Sequence, residues 1–209
     1  MTSLPEGDLL SLQDYRRRVF ELYARIRTSP EPESAWRMWQ ETRDELFSTH
    51  PQSPVAPENR SDVRPLLYFD YDPGLRDLAR IRAAAPEHFD LPTSGTEPMS
   101  FTRFATASFV LGGADLELEL YWLHGYGGGI FLPFRDATSG QETYGAGRYL
   151  LDTVKGADLG MAGDELVLDF NFAYNPSCSY DPRWVCPLAP PPNRLDVAVR
   201  AGERVAVTP

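Results

Sequence analysis

The residues on either side of Gly112-Gly113 leave this chain little freedom of fold. After the glycines, Leu116, Leu118, Leu120 and Trp122 alternate with Asp115, Glu117, Glu119 and Tyr121. A period of two puts apolar side chains on one face of a strand and acids on the other. Before the glycines, residues 101–111 are rich in Phe, Thr and Val, which suit a pleated, half-buried surface. Two adjacent glycines can take the positive φ that a two-residue hairpin turn demands. The stretch therefore reads as an antiparallel hairpin with its leucines inward. Glu117 and Glu119 read as a solvated face rather than as a catalytic pair.

Strand-like patterns continue downstream. Residues 130–135 and 143–150 flank Thr138-Ser139-Gly140, which has good turn chemistry. In residues 165–172, Leu166, Leu168 and Phe170 point toward a core, and Leu195, Val197 and Val199 form a last strand before the turn-like Ala201-Gly202-Glu203. Upstream the period is helical. Leu12, Tyr15, Val19, Leu22, Tyr23 and Ile26 define one amphipathic helix that ends before Ser29-Pro30, and a second starts near Ser34 with Trp36, Trp39, Leu46 and Phe47 on one side. Prolines at 51, 54, 57 and 65 mark a connector; residues 66–71 suggest a short strand, and residues 75–85, bracketed by Pro73-Gly74 and Pro86, a short helix. The fold class expected is α+β: an antiparallel, strongly curved or barrel-like sheet preceded by two N-terminal helices. One domain over 1–209 is expected, its helical segment 8–50 packing on a β-rich body 66–204.

At 209 residues, 42% hydrophobic and 12% aromatic, the chain can bury a substantial core. A formal charge of -10 disfavours nucleic acid and anionic membranes as partners. No run approaches the roughly 20 apolar residues of a membrane span, and MTSLPEGDLL lacks the basic head and apolar segment of a secretory signal, so a cytoplasmic location is expected. Cys178 and Cys186 read as two reduced thiols, or as a disulfide closing a short loop if the protein is exported; their spacing does not fit a zinc knuckle. No cofactor or metal is expected. Gly125, Gly127, Gly128 and Gly129 do not form a dinucleotide fingerprint, because Ile130 stands where glycine is needed and a strand follows instead of a helix. Gly-Lys-Ser/Thr is absent, and no local motif supports Cys178 with His124 as a nucleophile pair.

The candidate ligand-binding residues are Arg148, Tyr144, Asp136, Asp169, Asn171, Asn175 and Cys178. If strand 143–150 lies beside 165–172, then Arg148, Tyr144, Asp169 and Asn171 converge at one end of the sheet, with Cys178 and Trp184 on the covering loop. Arg148 would then clamp a small polar or anionic ligand through its fixed fork of donors. The period of two places Tyr144 with Arg148 and turns Tyr149 away. The structural alternative pairs Arg148 with Asp136 or Asp169 inside the fold and uses Asn171, Asn175 and Asn193 to tie down loop backbone. Two further readings are an enzyme acting on a small anionic substrate through Asp136, Asp169 or Cys178, and an interaction module docking through Trp36 and Trp39.

Several motifs occur in a fixed order: Phe134-Arg135-Asp136-x-Thr138, Thr143-Tyr144-x-x-Gly147-Arg148-Tyr149, Asp169-Phe170-Asn171-x-Ala173-Tyr174-Asn175-Pro176-x-Cys178, and Cys186-Pro187 with Asn193. In these the chain resembles an uncharacterised prokaryotic family catalogued as a domain of unknown function. The likeness runs from the second helix, through Arg43-Asp44 and Ser53-Pro54, to the end. It implies family membership and carries no activity, cofactor or catalytic residue with it.

Overall fold

A computed structural model describes residues 6–61 and 65–205. Residues 1–5, part of the stretch read for a secretory signal, lie outside the described residues, as do 62–64 and 206–209 of the expected domain span. Helix α1 (Glu6–Thr28) stops where Pro30 disfavours its continuation, and α2 (Pro32–Thr49) begins with proline in its first turn, where a missing N–H costs nothing. The aromatic side of α2 faces inward. Trp39 is fully buried, its Nε1 donates to the Tyr23 hydroxyl at 3.1 Å, and its ring meets Tyr68 and Phe172 edge-on. Trp36 is only 8% exposed, so the stripe is core and offers no docking surface.

The strands are β1 (Arg76–Leu91), β2 (Met99–Leu111), β3 (Ala114–Leu123), β4 (Gly129–Phe134), β5 (Arg148–Asp152), β6 (Met161–Ala162) and β7 (Glu165–Asp169). They form one antiparallel sheet in the order β5-β4-β3-β2-β1-β7-β6. Gly112 and Gly113, at φ 56 and 82, make the β2–β3 turn, which pairs Leu111 with Ala114. The inward alternation stops at Leu120. Tyr121 is buried, whereas Trp122 is 41% exposed, because the helices cover the opposite face of β3 at this end.

Four other expectations need correction. Residues 66–71, expected as a short strand, carry only an isolated bridge at Tyr68. Residues 75–85, expected as a short helix between Pro73-Gly74 and Pro86, lie mostly in β1, which pairs with β7 through Arg76–Arg80 and with β2 beyond. Successive pairing, first with β7 and then with β2, makes the segment a strand, and Pro86 falls in the register shift between Ala83 and Glu87, where no ladder donor is needed. The strand expected at 143–150 begins only at Arg148, so β4 and β5 pair across a long loop. Residues 195–199 form no strand and bend at 196–197. Leu195 donates to the Arg135 carbonyl and Val199 to the Asp136 carboxylate, and Tyr68 bridges to Glu203.

The sheet curls into a half-barrel. Tyr149 on β5 and Tyr174, just beyond β7, exchange both backbone hydrogen bonds, at 2.9 and 3.0 Å, across the remaining gap. The curled sheet separates two cores. Leu132, Phe134 and Leu150 face the C-terminal segment with Leu195, Val199 and Ala201, whereas Phe131 and Tyr149 face Tyr23 and Trp39 of the helices. Every residue of β5 is buried because both of its faces are covered.

Candidate functional site

β5 and β7 are not neighbours: β4, β3, β2 and β1 lie between them. The sequence-level site residues therefore separate into distinct places. Arg148 is 1% exposed and stacks on Phe134, 5.1 Å from the ring centre. Its Nη2 donates to the Val199 carbonyl at 2.9 Å and its Nη1 to the carbonyls of Ala201 and Glu203. Asp136 Oδ1 stands 3.6 Å from Nη2. Burial lowers Arg148 to about 10, with Asp136 and Glu203 opposing, so it remains cationic at neutral pH. Asp136 is itself held by Thr138, Ser139 and the Val199 N–H. This arginine stands in for a neighbouring strand, giving donors to C-terminal carbonyls that no ladder satisfies.

The asparagines also serve backbone. Asn171 accepts from the Asp72 N–H at 2.9 Å and donates to the Asp72 carbonyl at 2.8 Å, and Asn193 does the same with Glu119. Asp169 caps this turn through the Asn171 N–H and stands 3.8 Å from Arg76. Burial raises its carboxyl pKa. Tyr144 meets Cys178, hydroxyl to sulfur at 3.8 Å, and both cysteines are free thiols.

A cavity of about 370 Å³ opens on the other face of β5, between α1, α2, the loop 176–186 and the bridged gap in the half-barrel. The alternation that sends Arg148 to the C-terminal side sends Tyr149 into this space; Arg148 is not among its lining residues. Tyr15, Tyr23, Tyr149, Tyr174 and Trp184 give it aromatic walls. Arg43 lies among the rings of Trp39, Phe47 and Tyr174 at 4.9–5.2 Å, and its Nη2 pairs with Glu203 Oε2 at 2.7 Å. Lys155 reaches in from the β5 end with Nζ 3.1 Å from Asp152, half its side chain open to water within the concavity. Arg16 lies at the rim with no carboxylate partner among the described residues. Asn175 is the sequence-level candidate that lines the cavity; its Nδ2 is used by the Arg204 carbonyl, and its buried Oδ1 has no donor.

Glu203 joins the Arg148 cage to the cavity. Its Oε2 accepts from Arg43 and from the Asn175 N–H, whereas its buried Oε1 has no partner. Burial raises its pKa above the ordinary 4.5 and Arg43 opposes the rise without cancelling it. The folded chain thus holds this proton more tightly than the unfolded chain. As pH falls from 7 toward 4.5, wild-type stability should rise relative to Glu203→Gln, which has no proton to bind. Urea unfolding of both proteins across this range checks the sign; a constant or opposite difference would contradict it.

Sequence reasoning missed Arg43, Lys155 and Tyr15 as site residues. Lys155 carried a signal, being the sole lysine of the chain. Arg43 and Tyr15 sit in helical patterns indistinguishable from ordinary core packing.

Residues 62–204 match the family model described as "Protein of unknown function (DUF1684)". The solution NMR structure of an uncharacterized protein from Haloarcula marismortui is 38% identical to this chain, with a TM-score of 0.60 over 83% of this chain and 94% of that one. No curated protein matches. The motifs from Phe134 to Asn193 all fall inside the matched residues, while α1 and α2, which supply one wall of the cavity, precede them. On this match the chain belongs to DUF1684, a family of proteins of unknown function.

Proposed function

We propose that the protein binds a small anionic molecule with an aromatic or apolar body in the cavity between the helices and the gap of the half-barrel. One observation carries the reading. In a chain with 30 acidic and 20 basic side chains, the cavity is lined by Arg16, Arg43 and Lys155 and by no carboxylate. Asp152 and Glu203 balance two of these cations from outside the lining. The volume lies in the lower part of the range for small-molecule sites, and the aromatic walls suit a flat or apolar body. Asn175 Oδ1 would take a ligand hydroxyl or N–H, so Asn175 keeps its expected place among the ligand contacts.

The test uses the fluorescent anion anilinonaphthalenesulfonate. Saturable binding to the native protein is expected, weakened about tenfold or more by Lys155→Gln, since a charge-assisted hydrogen bond contributes roughly 1.5–3 kcal/mol. Added salt should weaken it further. Native mass spectrometry of freshly purified protein would then show which anion travels with it. No saturable binding, or binding indifferent to both Lys155→Gln and Arg16→Gln, would remove the reading.

A further inference from the structure

Cys178 and Cys186 bracket the loop that supplies Trp184 and Val185 to the cavity wall. The backbone of Cys186 is fixed at both ends by Ser94. Its N–H donates to Ser94 Oγ at 3.0 Å, and its carbonyl accepts from the Ser94 N–H at 3.0 Å. Its buried sulfur accepts the Cys178 N–H at 3.3 Å, which places it beside the turn Ser177–Ser179. That backbone-to-sulfur contact sets the two cysteines side by side, and the more open Cys178 sulfur faces the Tyr144 hydroxyl at 3.8 Å. One sulfur is thus partly open to solvent beside a hydroxyl, while the other is buried next to it.

We infer that Cys178 and Cys186 form a dithiol that reacts with hydroperoxides, Cys178 as the attacking thiolate and Cys186 as the resolving thiol. The hydrogen bond from Cys186 is the largest of the influences that lower Cys178 to about 6, and the same contact raises Cys186. The proton therefore rests on the buried partner and the thiolate on the exposed one. The thiolate attacks the terminal peroxide oxygen. The O–O bond breaks, the leaving alkoxide or hydroxide takes a proton, and Cys178 becomes a sulfenic acid. The Cys186 sulfur then attacks Cys178 sulfur; the S–S bond forms and the hydroxyl leaves as water with the Cys186 proton. The dithiol loses two electrons, and the peroxide is reduced to water and an alcohol, or to two waters. No cavity ligand takes part, so the dithiol stands or falls independently of the anion site.

Intact wild-type protein is treated with stoichiometric hydrogen peroxide and mapped by peptide mass spectrometry without reduction. The expected product is an intrachain link between the peptides of Cys178 and Cys186. Cys186→Ser should instead stop at a sulfenic acid on residue 178 that a cyclic 1,3-dione traps, and Cys178→Ser should leave Cys186 unmodified. Iodoacetamide alkylation of the wild type should inflect near pH 6 and, at that pH, run about tenfold faster than an ordinary thiol, after allowing for the lower nucleophilicity of a more acidic thiol. Three results would each overturn the inference: wild-type protein keeping both thiols under peroxide that oxidises free glutathione, links only between chains, or an alkylation inflection near the ordinary thiol range. None of them depends on a variant folding.

Discussion

Replacing Arg148 with methionine is expected to lower the unfolding free energy by about 3–5 kcal/mol, because it strands a buried carboxylate. Asp136 is as fully enclosed as Arg148 and would keep only its hydroxyl and N–H donors. The carbonyls of Val199, Ala201 and Glu203 would lose the guanidinium together, and buried acceptors without donors add to the loss. A fall of that size is a large part of the 5–15 kcal/mol that typically holds a domain folded, so the variant should melt at much lower urea concentration. Adding Asp136→Asn should cost less than its effect alone, since the two side chains act as a unit. A stability loss below about 1 kcal/mol, coupled with lost anion binding, would restore Arg148 to the role of ligand clamp.

Trp39→Ala should cost a similar amount, about 3–5 kcal/mol, for a different reason. The indole fills the space between α1, α2 and the turn after β7. Removing it leaves a hole bounded by Tyr23, Tyr68 and Phe172, and leaves the Tyr23 hydroxyl without its donor. It also removes one of the rings around Arg43. Urea unfolding measures the first effect. Anilinonaphthalenesulfonate titration under folding conditions measures the second, with weaker binding expected. A loss under 1 kcal/mol would mean that the helices contribute little to holding the sheet.

The fold was legible wherever periodicity was strong and local. The Gly112-Gly113 hairpin needed only alternation and two residues tolerant of positive φ, and α1 ended where proline required it. Residues 75–85 failed because alanine and arginine favour a helix in isolation, and only pairing with the distant strands β7 and β2 in turn makes them a strand. The site was legible in part. Sequence marked the polar residues of 131–193 as unusual and separated Arg148 from Tyr149 by face, but could not say which face opens onto a cavity.

The sequence by itself determined the α+β class, the two helices, the central hairpin, the strong curvature and the membership carried by the ordered motifs. It did so because hydrophobic period and turn chemistry act over a few residues. The tertiary structure decided what those motifs are for. Strand order put four strands between β5 and β7, and the Tyr149–Tyr174 bridge brought their far ends together. The C-terminal segment then claimed every donor that Arg148 gives to backbone, while the helices roofed Tyr149, Lys155 and Arg43 into one cavity. These are contacts between residues remote in sequence, and no local pattern encodes which partner a buried arginine will find.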